Sequence, residues 1–181
     1  WCSGGHVMKV AVNVSAVLIS SPAFAARLEH ILGEEGVPCE RVTLEITESA
    51  AIVDFEAARA ALEAIRALGV SISMDDYGTS QSTLTYLKGL PLSELKIDRS
   101  FVQYAHRDRS DALLVSSTVE LAHQMGLEVV AEGIEDADCL AFLRSIGCDY
   151  AQGYHIAKPM SARELLELVQ NSPPSSSRAT A

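Results

Sequence analysis

Six short apolar segments of this chain each close on a polar residue. They are Val10-Ala11-Val12-Asn13, Val42-Thr43-Leu44-Glu45, Ile72-Ser73-Met74-Asp75, Glu94-Leu95-Lys96, Val129-Val130-Ala131-Glu132 and Tyr150-Ala151-Gln152. Successive side chains of a strand point to opposite faces, so each segment sorts into two sets. Val12 and Val14, Leu44 and Ile46, Ile72 and Met74, Leu95 and Ile97, and Val129 and Ala131 fall on one face. Asn13 and Ser15, Thr43 and Glu45, Ser73 and Asp75, Glu94, Lys96 and Asp98, and Glu132 fall on the other. A doubly wound sheet is covered on both faces and would read apolar on both. One apolar and one polar, converging face fits an α/β fold of the (β/α)8 TIM-like barrel type, with helices outside and a functional mouth at the strands' C-terminal ends.

The segments between the strands support this reading. Strands are expected near 8–15, 42–47, 70–76, 94–98, 128–133 and 149–153, with helices near 21–35, 55–68, 80–88, 109–125, 136–145 and 161–170. The run Ala57 to Leu68 is rich in strong helix formers, and Gly69 follows where a helix C-terminus favours glycine; Gly126 and Gly147 stand in the same relation to two later helices. Strand–helix alternation with a period of roughly 25–30 residues indicates parallel βα units. Six strands are two fewer than such a barrel needs, and the chain starts at Trp1. The expectation is a barrel domain over 1–170 lacking its first two strands, with 171–181 as a disordered tail or linker.

Composition narrows the function. The 48% hydrophobic content over 181 residues suffices for one substantial core. A formal charge of −10 excludes general binding to a nucleic acid polymer or an anionic membrane surface, so a polyanionic substrate would need a divalent cation as intermediary. Cys2, Cys39, Cys139 and Cys148 have no metal-site spacing and read as reduced thiols of a cytoplasmic domain. No apolar run approaches the length of a membrane span. The five histidines are scattered and read as surface or packing residues. Glu135 and Asp136 read as an acidic helix start that favours the dipole.

The segments Met74-Asp75-Asp76-Tyr77-Gly78-Thr79-Ser80 and Leu95-Lys96-Ile97-Asp98-Arg99-Ser100-Phe101-Val102 closely resemble those of the EAL domain family, the phosphodiesterases of cyclic di-GMP. Asn13-Val14-Ser15, Leu44-Glu45-Ile46-Thr47-Glu48-Ser49, Ala131-Glu132-Gly133-Ile134-Glu135, and Gln152-Gly153-Tyr154 followed by Lys158-Pro159 extend the resemblance in order from about residue 7 to 170. The resemblance implies hydrolysis of cyclic di-GMP to linear pGpG with two Mg²⁺ or Mn²⁺ ions. It implies metal ligands at Asn13, Glu45, Asp75, Asp76 and Glu132, oxygen donors of the kind hard cations prefer. It gives Lys96 the attacking water, which it orients or deprotonates, places Gln152 at the floor of the site, and makes Glu48 the anchor of the loop after the two aspartates. It further implies an EAL homodimer, an upstream sensory or GGDEF domain, and a parent protein that is cytoplasmic or anchored in a membrane through upstream segments.

Two departures accompany the resemblance. The Glu-Ala-Leu that names the family, whose glutamate is a metal ligand, lies on a strand before Asn13 and is absent. The loop after the aspartates carries Tyr77 and Ser80 where the family has Phe and Gly, and Ser80 gives up backbone freedom. A non-catalytic cyclic di-GMP receptor is the alternative from another class. An enolase-like barrel would also carry acids on strand ends, but it does not require the Asp-Asp and Lys-Ile-Asp pairing.

Overall fold

The structure is a computed structural model that describes residues 8–19, 21, 23–47, 55–78 and 84–171. Its strands are β1 (Val10–Asn13), β2 (Val42–Thr47), β3 (Ser71–Tyr77), β4 (Glu94–Ile97), β5 (Glu128–Ala131) and β6 (Tyr150–Ala151). Its helices are α1 (Ala16–Ile19), α2 (Phe24–Glu34), α3 (Phe55–Ala67), α4 (Leu84–Gly89), α5 (Arg99–Val102), α6 (Arg109–Gln124), α7 (Ala137–Ser145) and α8 (Ala162–Asn171). The strands are parallel throughout and lie in the order β1-β2-β3-β4-β5-β6. Sequential neighbours without a reversal make a singly wound, curled sheet rather than a doubly wound one. This is the barrel-type architecture expected from strand parity.

The two strand faces separate as their composition dictates. Leu44, Ile46, Ile72, Met74, Leu95, Ile97, Val129 and Ala131 are buried, in one core with Leu62 and Ile65 of α3, Val115 and Val119 of α6 and Leu143 of α7. Each of these side chains larger than Ala131 contributes roughly 1.5–3 kcal/mol on burial, so the outer face holds the helices to the sheet. The opposite face carries Thr43, Glu45, Ser73, Glu94 and Lys96; all of these but Ser73 line a cavity of about 210 Å³ with Lys9, Ala11, Val130, Tyr150 and Gln152.

Helix ends follow local chemistry. The Asp98, Asp108 and Asp136 side chains accept backbone N–H bonds at the starts of α5, α6 and α7, the ordinary aspartate cap. Gly69, Gly126 and Gly147, just beyond α3, α6 and α7, have φ of 94°, 76° and 77°, the left-handed turn a side chain resists.

Several boundaries differ from the sequence reading. β1 spans Val10–Asn13 and β6 only Tyr150–Ala151, so Gln152 lies one residue past its strand, as Glu132 does past β5. The helix expected at 80–88 is described from Leu84 onward. α1 and α5 are single turns that no periodicity announced. Val10 and Val12 on β1 are 49% and 46% exposed, whereas Val14, on the same face by parity, is 8% exposed. The Val14 backbone N–H donates to Glu45 O at 2.9 Å.

Candidate active site

Parallel registry carries the polar residues to one end of the sheet. Asn13 is level with Glu45, Glu45 with Ser73, and Thr47 with Asp75. Lys96 leaves β4 among them. Its Nζ lies 2.9 Å from Glu45 Oε1, 3.0 Å from Asp75 Oδ1 and 2.6 Å from Glu132 Oε1. Three carboxylates from β2, β3 and the end of β5 thus converge on one ammonium that is 4% exposed. An ammonium has three donors, and all three are directed to carboxylates.

The adjacent aspartates need a special backbone. In regular strand geometry Asp75 and Asp76 would point to opposite faces. The β3–β4 register jumps between Met74, opposite Leu95, and Tyr77, opposite Ile97, so two residues of β3 oppose one of β4. This is a β-bulge. Asp76 takes φ of 56° and Gly78 φ of 98°, and the Asp76 N–H donates to Asp75 Oδ1 at 3.1 Å. Aspartate tolerates the left-handed region better than most side chains. The result is that Asp75, Asp76 and Glu132 each place a carboxylate oxygen within 4.8 Å of the other two.

Electrostatics follow from this crowding. Burial would push the Lys96 ammonium pKa down, but its bonds to Glu132, Glu45 and Asp75 outweigh burial and hold it well above the ordinary lysine range. Burial raises the Glu132 carboxyl, with Lys96 pulling the other way. Burial and the neighbouring Asp75 and Asp98 carboxylates raise Asp76. One ammonium cannot neutralise the acids around it. An oxygen-only set of this kind matches the preference of hard divalent cations such as Mg²⁺ and Mn²⁺, and the residues present fit such ions.

Of the residues singled out in the sequence, Glu45, Asp75, Asp76, Lys96 and Glu132 come together here. Gln152, one residue past β6, lines a cavity shared with Glu45 and Lys96. Asn13 stands at the level of Glu45 on the exposed first strand. Glu48 and Ser80 lie outside the described residues. Tyr77 packs against the core, and His123 is engaged with Asp149 at 2.8 Å, as a packing or surface histidine would be. Cys39, Cys139 and Cys148 are free thiols. No helix among the described residues is long and apolar enough to cross a membrane.

Two glycines of the motif segments, Gly133 and Gly153, have a packing role that the structure brings out. Gly133 follows Glu132, with φ of 73° and space for a Cβ only 2.3 Å from Arg99 Cβ. Gly153 follows Gln152, and a Cβ there would meet Ile134 N and O at 2.2 Å. Ile134 N–H donates to Gln152 O at 3.1 Å and His155 N–H to Ile134 O at 3.0 Å. The mouths of β5 and β6 are therefore stitched together directly behind two candidate site residues.

The EAL domain model matches residues 1–159. This chain belongs to the EAL domain family. It is 41% identical over 170 residues to MucR of Pseudomonas aeruginosa, a bifunctional diguanylate cyclase/cyclic di-GMP phosphodiesterase, covering 93% of this chain and 25% of that protein. It is 36% identical over 168 residues to the cyclic di-GMP phosphodiesterase NbdA of the same organism, covering 93% of this chain and 22% of the relative. The chain thus spans about a quarter of the length of these curated relatives. Among solved structures, the phosphodiesterase of MucR in complex with c-di-GMP superposes with a TM-score of 0.85 at 40% identity, covering 91% of this chain and 67% of that one. The EAL domain of Mycobacterium smegmatis DcpA gives 0.90 at 36% identity, covering 96% and 79%.

Proposed function

We propose that this EAL chain forms the catalytic face of a cyclic di-GMP phosphodiesterase that opens one phosphodiester to give linear pGpG. The observation that carries the reading is the Lys96 ammonium held among Glu45, Asp75 and Glu132, beside the Asp75–Asp76–Glu132 oxygen group. Two relatives bearing that activity in their names support it.

In this reading Asp75, Asp76 and Glu132, with Glu45 and Asn13, would hold two Mg²⁺ or Mn²⁺ ions. Bound in pairs, such ions make water nucleophilic at neutral pH and stabilise attacking and leaving oxygens. Lys96, whose three donors go to Glu45, Asp75 and Glu132, would release one of them to orient or deprotonate the attacking water. Gln152 fixes the floor of the site, and Glu48 anchors the loop after the aspartates. The working assembly is a homodimer in the cytoplasm, coupled to an upstream sensory or GGDEF domain, with residues 171–181 as tail or linker.

The test is turnover of cyclic di-GMP by the full-length protein, followed as pGpG formation. Lys96→Ala should lower kcat by about 10²–10⁴-fold while nucleotide affinity stays within a few-fold. Near-normal kcat at saturating Mg²⁺ would remove the lysine from the chemistry. A wild-type protein that binds cyclic di-GMP without producing pGpG would establish the receptor reading instead.

A further inference from the structure

We infer that Asp149 is a positioning residue for Gln152: its carboxylate sets where the last strand lies, and with it the amide at that strand's mouth. The inference rests on the reading above that Gln152 acts at the floor of the site. Asp149 itself is not among the residues that line the cavity there.

Strand β6 has little of its own to hold it. It is two residues long and pairs with β5 only at Val130–Tyr150 and Ala131–Ala151. A longer parallel strand would be anchored by evenly spaced backbone bonds. Here the two ends are finished differently. At the mouth, the Gln152 N–H donates to Ala131 O at 2.9 Å, and Gln152 O accepts the Ile134 N–H at 3.1 Å. At the other end, one residue below the first paired position, the Val129 N–H donates to Asp149 Oδ2 at 2.8 Å. His123 Nε2 lies 2.8 Å from the same oxygen, which as a carboxylate can only accept. His123 stands in the last turn of α6. One carboxylate therefore joins the start of β6 to β5 and to α6.

The lever from Asp149 to Gln152 is short. Only Tyr150 and Ala151 separate them. Tyr150 and Gln152 line the cavity, while Asp149 reaches the helix side of the sheet. The carboxylate thus acts from outside the sheet on an amide that works inside it. The other ties at this end are weaker. Tyr150 OH donates to Glu128 Oε1 at 3.2 Å, and Cys148 Sγ, a poor donor, lies 3.3 Å from Tyr150 O and 3.6 Å from Val129 O. Val129 is fully buried, so without Asp149 its N–H is left unmet inside the protein, which is unfavourable. The strand then moves to satisfy it. A displacement of about 1 Å at a reacting site can cost about 10²-fold in rate.

The experiment is a double-mutant cycle on turnover of cyclic di-GMP to pGpG by the full-length protein. Compared are wild type, Asp149→Ala, Gln152→Ala and the two changes together, with Asp149→Asn, whose amide oxygen still accepts the Val129 N–H. Asp149→Ala should lower kcat about tenfold or more with KM within a few-fold, and Asp149→Asn should recover most of the loss. In the Gln152→Ala background the same Asp149→Ala change should lower kcat less than about twofold, since the group it positions is gone. A merely structural role would lower kcat equally in both backgrounds, and that result overturns the proposal. So does an Asp149→Ala kcat near wild type when Gln152→Ala loses activity, and the reading of Gln152 then stands. If wild type makes no pGpG, or Gln152→Ala alone keeps full kcat, the reading of the site falls and the proposal falls with it. Should Asp149→Ala not fold, Asp149→Glu replaces it in the cycle, keeping the charge while its added methylene carries the oxygens past Val129. The same comparison of the two backgrounds then decides.

Discussion

At the scale of single residues, the site depends on side chains that are absent as much as on those present. Gly153 brings the β6 mouth against the Ile134 backbone, whose N and O would lie 2.2 Å from an added Cβ. Neither atom belongs to a flexible side chain that could swing away. Gly153→Ala should therefore cost about 3 kcal/mol or more, read as a lowered urea midpoint, and should displace Gln152. Gly126, by contrast, has a φ of 76° and nothing within 4 Å. Gly126→Ala should cost only the left-handed backbone term, about 1–2 kcal/mol. Equal costs for the two would show that close approach at the β5–β6 mouth is unimportant. The polar residues themselves were legible in the sequence because they recur at strand ends with shared parity. Gly133 and Gly153 were not, since the need for a missing side chain arises only when two loops from distant parts of the chain meet.

At the scale of elements, apolar alternation located β2 to β5, because their outer faces must be covered by helices. It could not locate α1 and α5, single turns fixed by the chain around them rather than by any periodicity. Nor could it locate the β3 bulge, since two neighbouring aspartates look alike whether they alternate faces or share one. The α5 turn gives a test with a pH sign. Burial would raise the Asp98 carboxyl, but hydrogen bonds from the Ser100 hydroxyl and from the Ser100 and Arg99 backbone outweigh it and depress the pKa below its ordinary value. A depressed carboxylate contributes stability that is present above the unfolded pKa near 3.9 and lost as pH falls through the folded value. Asn is as good a cap as Asp, so Asp98→Asn should melt close to wild type at pH 3 while falling below it at pH 7. Asp98→Ala should lose about 1 kcal/mol at neutral pH by removing the cap itself. Melting curves at the two pH values decide both points, and an Asp98→Asn loss that is the same at pH 3 and pH 7 would contradict the assignment.

At the scale of the whole molecule, a singly wound sheet has two open sides unless it closes on itself. Among the described residues β1 pairs only with β2, and β6 only with β5. β6 is two residues long and offers little to a partner. β1 is longer and carries Val10 and Val12 exposed on its outer face, beside a row of backbone groups free to pair. Edges of this kind invite association. The 181-residue chain made by itself should accordingly self-associate as concentration rises and form no pGpG. Set within a protein of the length its relatives have, it should be monodisperse and active. Val12→Lys should suppress the self-association, because a charged side chain on an edge strand opposes edge-to-edge pairing. It should leave the Lys96 cluster unperturbed, since Val12 lies on the face opposite Asn13. Light scattering across a concentration series and chromatographic detection of pGpG check the two halves separately. Isolated residues 1–181 that stay monomeric would show that β1 is protected, and hydrolysis by them would show that these strands suffice for catalysis.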